Sequence, residues 1–332
     1  MHDEIIEILE GMYLENLSRY VKIKEIPEGK ELLINNFHLY TISLKFYDIL
    51  PGLTIITDEK EIEERYPHEK DLLQFNNPDD LLVMSYITKG SCQMPVENNK
   101  FIFINGGNMN MYIKGNNPRA YEFIKHSTFT HLVFDKKVFN KNKNSTLEPY
   151  EEILNKLFEL SKENQNLVFK ANDEIIQVIE QMKLFDTYNK RSCKEYLKLK
   201  AFELILLLDN IEIKDIKDKQ RTYSDAQIRV VRKIKNDLSR NIASYISLDS
   251  LAVSYGINLT TLKNCFRDMY EKPLYTWYRE YKFHRAKELI QNTSYPISKI
   301  ANMIGYKSSS KFAKAFKKEM GVLPSSYREK KR

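Results

Sequence analysis

"ISKIANMIGYKSSSKFAKAFKKEMG", Ile297 to Gly321, ends one short helical pattern and at once begins another with a basic face. Apolar residues recur at helical spacing up to Gly305. Ser308, Ser309 and Ser310 follow, and then lysines surround a pair of phenylalanines four residues apart. The same plan stands earlier in the chain as "LDSLAVSYGINLTTLKNCFRDMYEKP". Leu251 and Ala252 match Ile300 and Ala301, and Gly256 matches Gly305, at an offset of 49. Leu262, Phe266 and Arg267 match Phe312, Phe316 and Lys317 at an offset of 50, so the one-residue change falls in the turn, where an insertion costs least.

Each copy predicts a short helix, a glycine, a polar turn and a longer helix, which is the helix-turn-helix plan. A small Ala lets the two helices cross closely, and Gly can take the left-handed conformation that ends the first. Leu262 with Phe266, and Phe312 with Phe316, bury one face of each second helix and leave the other polar and basic. The serines at 308 to 310 can cap the helix start, where the dipole also favours a phosphate. Between the copies, "LYTWYREYKFHRAKELIQNTS" is long enough for a helical strut that fixes their separation. Ahead of them, "SDAQ" from Ser224 has the form of a capping box, with Ile228, Val231 and Leu238 as the apolar stripe behind it.

Charge divides the 332 residues in the same place. Residues 221–332 hold 23 Lys+Arg against 9 Asp+Glu, and the remainder holds 29 against 36. A basic third on an acidic chain implies a polyanion partner, the competing reading being a solvated lysine-rich surface. No apolar run reaches membrane-spanning length. "MHDEIIEILEGMYLENL" is acidic and amphipathic and does not read as a signal peptide. Cys92, Cys193 and Cys265 are dispersed, fitting neither a disulfide framework nor a metal ribbon, so a reducing, cytoplasmic setting is expected.

Residues 1–35 read as a helix followed by a turn at Pro27 and Gly29. From about 36 to 139 short aromatic and β-branched runs alternate with turn signals, as in an antiparallel sandwich or barrel. "NKNKNSTLEP" reads as a connection to two or three helices, of which "KEYLKLKAFELILLLDNI" is apolar over most of its surface, suiting burial or a second subunit.

"SLDSLAVSYGINLTTLKNCFRDMY", "RAKELI" and "ISKIANMIGYKSSSKFAKAFKKEMGVLPSSYR" together resemble the AraC/XylS family of bacterial transcription regulators over residues 224–328. Lys282, Glu271 and Trp277 depart from the family's usual Arg, Gly and Tyr. "SYITKGSCQMPVENNKFIFINGGNMNMYI" resembles, more loosely, the family's cupin-like sensory barrel, with Asn108 in place of a common Asp. "CKEYLKLKAFELILLL" is similar to the helix that precedes the DNA-binding domain in a subgroup that includes siderophore-responsive regulators. The resemblance implies an α+β chain in four parts. These are a cupin-like antiparallel β sensory domain at 1–140, a helical dimerisation and coupling region at 141–212, a linker at 213–223, and an all-α DNA-binding domain at 224–332 with two helix-turn-helix motifs joined by a long helix. It implies no enzyme and no cofactor. The expected partners are double-stranded promoter DNA, a second copy of the chain, a small-molecule effector, and RNA polymerase if the output is activation; no membrane is involved.

The residues expected to face DNA are Thr260, Thr261, Lys263, Asn264 and Arg267 in the first copy, and Ser309, Ser310, Lys311 and Lys314 in the second. Asn suits adenine, Lys suits guanine acceptors and Thr methyls suit thymine, whereas lysines on phosphate alone would position without specifying. Tyr86, Phe103 and Tyr112 are candidates to line a ligand pocket, the plainer reading being core. His126 and His131 stand five apart in strand-like sequence and would point to opposite faces. No His-x-His with a downstream Glu appears, as a metal-dependent cupin enzyme would need. Two alternatives stay open: a regulator controlled by a partner protein without a small ligand, and a cupin-type enzyme fused to a DNA-binding module.

Overall fold

The computed structural model describes residues 21–26, 29–36, 40–62, 80–113, 122–123, 127–142, 146–164, 166–183, 190–211, 221–243 and 247–329. The chain forms two compact units, residues 1–222 and 223–332.

The first unit is built on strands Val21–Ile26 (β1), Gly29–Asn36 (β2), Tyr40–Leu50 (β3), Leu53–Ile62 (β4), Leu81–Lys89 (β5), Ser91–Val96 (β6), Lys100–Asn105 (β7), Asn108–Ile113 (β8), Glu122–Phe123 (β9), Ser127–Asp135 (β10) and Asn166–Lys170 (β11). Eight of them form one antiparallel sheet in the order β1-β2-β3-β4-β10-β5-β8-β11. A small sheet pairs β6 with both β7 and β9. Helices Lys136–Lys141 (α1), Glu151–Asn164 (α2), Asp173–Lys183 (α3) and Lys190–Asp209 (α4) complete the unit. The Asp135 carboxylate starts α1 by accepting from the Val138 backbone N–H at 2.9 Å. Asn172 does the same for α3, accepting from the Ile175 N–H at 2.9 Å.

Period-two alternation gives the large sheet two buried faces. On the outer face Tyr47, Ile55, Met84, Met111, Leu132 and Phe134 share one core with Leu154, Leu157 and Phe158 of α2, Ile175 and Ile179 of α3, and Leu197, Ala201 and Ile205 of α4. On the inner face Ile87 and Phe129 pack with Cys92, Met94, Ile102 and Ile104 of the small sheet. The unit is therefore layered as helices, large sheet and small sheet.

Three sequence expectations need correction. Val21–Ile26 is a strand paired antiparallel with Gly29–Asn36, not the end of a helix; "VKIKEI" alternates with a strand's period. The first twenty residues lie outside those described. Residues 136–139, read as the end of the strand region, begin α1. Within the segment read as helical, β11 is a strand that pairs antiparallel with β8, Val168 opposite Asn110.

The second unit contains Asp225–Arg240 (α5), Leu248–Ser254 (α6), Leu259–Tyr270 (α7), Leu274–Asn292 (α8), Ile297–Met303 (α9), Ser309–Met320 (α10) and Pro324–Glu329 (α11). The capping box is formed: the Ser224 hydroxyl accepts from the Gln227 N–H, and the Gln227 side chain accepts from the Ser224 N–H. Ile228, Val231, Ile234 and Leu238 bury the inward stripe of α5. α8 is the strut between the copies. Its Tyr278 hydroxyl donates to the Asn241 and Ile242 carbonyls at 3.1 Å each, and its Arg279 pairs with Glu319 of α10 at 3.0 Å. Phe283, Ala286 and Ile290 of α8 close one core with Ile300, Ala301, Ile304, Phe312 and Phe316.

Candidate nucleic-acid interface

α6 with α7, and α9 with α10, are the two helix pairs the repeat predicts. Ala252 and Ala301 are buried where each pair crosses. Asn258 caps α7 by accepting from the Thr260 and Thr261 N–H groups at 2.9 and 3.2 Å. Ser308 caps α10 by accepting from the Lys311 N–H at 3.4 Å. Both longer helices are anchored from beneath. Leu262, Cys265, Phe266 and Met269 are buried in α7, and Phe312 and Phe316 in α10. Burial pushes the Cys265 thiol up to about 12, so it stays protonated and inert.

Anchoring one face leaves the other outward. Thr260, Lys263 and Arg267 are exposed on α7, and Thr261 and Asn264 are half-buried. The spacing of 260, 263, 264 and 267 places them on one side of the helix. Arg267 Nη2 donates to Asn264 Oδ1 at 3.4 Å, so the two form a local pair. On α10, Ser309, Ser310, Lys311 and Lys314 are all exposed. Lys307 and Lys318, which the sequence reading did not single out, are exposed too. The i, i+3, i+7 spacing of Lys311, Lys314 and Lys318 could have found the latter. Each outward face thus offers hydroxyl, ammonium, amide or guanidinium donors beside a helix start, a chemistry suited to phosphates and to base edges.

The proposed pocket residues do not converge. Tyr86 on β5 points to the outer face with Met84, beneath Lys183 of α3, whose ammonium lies 5.8 Å from the ring centre. Tyr112 on β8 points to the inner face with Val83 and Val133. Phe103 belongs to the small sheet, opposite Gln93. Alternating aromatics mark strands, but only the pairing register says which of them share a face. His126 lies outside the described residues. His131 is half-buried on the inner face, with Nδ1 2.6 Å from Ser85 Oγ and Nε2 3.1 Å from Asp58 Oδ2. Sequence reasoning passed over this chain of groups, because its members lie 46 and 73 positions apart. Among the described residues, no group of three or more His, Cys, Asp or Glu side chains could hold a metal ion, and no helix is long and apolar enough to cross a membrane.

Comparison with known proteins places the second unit. Residues 251–330 match the protein family described as a helix-turn-helix domain. The uncharacterized HTH-type transcriptional regulator YtdP of Bacillus subtilis (strain 168) is 29% identical over 146 residues, 43% of this chain but only 19% of that protein. The HTH-type transcriptional activator AarP of Providencia stuartii is 29% identical over 108 residues, 32% of this chain and 80% of that protein. Among solved structures, the C-terminal domain of AraT, a response regulator from Geobacillus stearothermophilus, is 26% identical, covering 30% of this chain and 84% of that one at a TM-score of 0.29. Residues 251–330 are thus a helix-turn-helix domain by that family match.

Proposed function

We propose that the chain is a sequence-specific DNA-binding transcription regulator in which α7 and α10 read two segments of the major groove. The observation that supports this most is the repetition itself. Two capped helices, each anchored by its apolar face, present polar and basic residues outward at matching positions. The residues that contact DNA in this reading are Thr260, Thr261, Lys263, Asn264, Arg267, Ser309, Ser310, Lys311 and Lys314. The first unit serves as a cupin-like sensory module over 1–140, the helices of 141–212 couple and dimerise, and 213–223 is the tether to 224–332. The protein works in the cytoplasm on promoter DNA, as a homodimer that responds to a small effector and contacts RNA polymerase if it activates.

Selection of binding sites from random duplex DNA by the full-length protein tests the reading. The expected consensus has two short elements about one helical turn apart, about 10 base pairs. Affinity should fall steeply with salt as counterions are released. A pool that yields no consensus, or binding that ignores salt, contradicts it.

A further inference from the structure

The outward face of α7 holds an arginine that is braced by its neighbours. Arg267 and Asn264 stand one turn apart, turned away from the buried Leu262, Phe266 and Met269. Helical side chains lean toward the N-terminus of their helix, so Arg267 lies back along the face toward Asn264. Its Nη2 donates to Asn264 Oδ1 at 3.4 Å, and its Nε lies 3.9 Å from Asp268 Oδ1. Asp268 is itself held, because the Tyr223 hydroxyl donates to its Oδ2 at 2.6 Å. Tyr223 is only 3% exposed and sits just ahead of the capped start of α5. The brace therefore runs outward from the buried Tyr223 through Asp268 and Arg267 to Asn264.

The edges of the guanidinium decide what it can read. The group is planar, with N–H donors on every side and no acceptor. Nε–H and one Nη2–H lie along one edge, and that edge faces Asp268 and Asn264. The adjoining edge, formed by the second Nη2–H and an Nη1–H, meets no acceptor among the described residues, and the side chain is 49% exposed. Asn264 is committed by the same bond. Its Nδ2 cannot accept, so the atom that meets Arg267 is Oδ1. An asparagine reads adenine through both atoms, Oδ1 accepting from N6 and Nδ2 donating to N7. With Oδ1 engaged, that bidentate contact is blocked. The side chains α7 turns outward from Lys263 to Arg267 then offer donors: the Lys263 ammonium, the Asn264 amide protons and the outer guanidinium edge.

We propose that Arg267 selects a guanine in the first DNA element, and that Asn264 and Asp268 are positioning residues that aim it. The inference rests on the DNA-reading role proposed above and names the base that role selects. Guanine shows two acceptors, O6 and N7, on its major-groove edge, and two parallel N–H donors match them. Adenine sets a donor beside its acceptor, and thymine and cytosine each offer one polar group. An unbraced arginine loses rotamer freedom when it binds a base; a braced one has already lost it in folding, so the contact costs less. A phosphate can meet the same edge, but it carries no sequence information, and the experiment separates the two. The second copy lacks the device. Lys314, Lys317 and Lys318 stand where α7 has Asn264, Arg267 and Asp268, and three ammonium groups hold no acceptor with which to brace one another.

The test uses the full-length protein and the sites it selects from random duplex DNA. The expected first element contains a guanine whose preference Arg267→Ala abolishes. Replacing that guanine by 7-deazaguanine removes the N7 acceptor and keeps the base pair. The exchange should weaken binding by the parent about tenfold and leave Arg267→Ala unaffected. Arg267→Lys keeps the charge without the planar edge and should not restore the preference. Asn264→Ala and Asp268→Ala should each weaken the same preference, whereas Asn264→Asp should retain it, because a carboxylate still accepts from Nη2. Asn264→Ala combined with Arg267→Ala should lose no more of the preference than Arg267→Ala alone. Parent binding that ignores 7-deazaguanine, or an Arg267→Ala loss equal on selected and scrambled sites with a lower salt slope, would make Arg267 a phosphate contact. An adenine at the base pair that Asn264→Ala relaxes would make Asn264 itself the reader. Either result overturns this inference and leaves the DNA-reading role standing, since a consensus was obtained. A pool without consensus would overturn both.

Discussion

Glu271 and Gly321 end α7 and α10 in the same left-handed conformation, φ +60° and +78°. Gly adopts it freely; for an L side chain it costs about 1–2 kcal/mol. Glu271→Gly is therefore expected to stabilise the protein by about 1 kcal/mol in urea unfolding, and a lower midpoint would show that the Glu271 side chain repays the strain through its contacts. The turn glycines separate the copies further. A Cβ on Gly305 would lie 2.3 Å from the Ala243 carbonyl oxygen, whereas one on Gly256 meets nothing within 4 Å. Both have positive φ, so Gly256→Ala should cost about 1 kcal/mol. Gly305→Ala must also displace backbone and should cost clearly more; equal losses in urea unfolding would mean that the Ala243 loop yields freely.

At the scale of elements, α4 leaves two large apolar side chains outside. Leu199 and Leu206, seven residues apart and so on one face, are 65% and 48% exposed, while Leu197, Ala201, Leu204 and Ile205 are buried. If this stripe meets its copy in a homodimer, Leu199→Glu with Leu206→Glu should yield monomer in sedimentation at micromolar concentration with unfolding little changed. A parent that is itself monomeric, with and without DNA, removes the proposal. α4 also shows what local sequence conveys. Its apolar breadth was legible, and so were α7 and α10, because periodicity, caps and glycine stops are all local signals. β11 was not: "NLVFK" is five residues between two helices, and its partner β8 ends more than fifty positions earlier. The Asp58, His131 and Ser85 chain was hidden for the same reason. Its members come from three strands, and only the register brings them onto one face. Tyr86 and Tyr112 were both visible as strand aromatics, yet opposite parity on paired strands separates them.

Across the whole molecule, the basic balance is confined to the unit that holds both helix pairs, α6 with α7 and α9 with α10. That unit has its own cores and its own strut, so residues 221–332 alone should fold cooperatively and bind DNA at low salt. An isolated fragment that is unfolded, or folded without affinity, would contradict this division of labour. The central claim is that both recognition helices read DNA, and Asn264 and Lys314 test it most directly. Each lies two residues from an inward anchor on either side, Leu262 and Phe266 or Phe312 and Phe316, which carries it about 200° from the buried stripe. The decisive measurement is the affinity of the Asn264→Ala and Lys314→Ala proteins for a selected site and a scrambled site, at several salt concentrations. Asn264→Ala should lose roughly 1–3 kcal/mol at the selected site and relax one base pair of the first element. Lys314→Ala should relax the second element, or weaken all sequences alike with a salt slope lower by about one. Binding by both variants that matches the parent, or losses that fall within the same element, would contradict the two-reader arrangement.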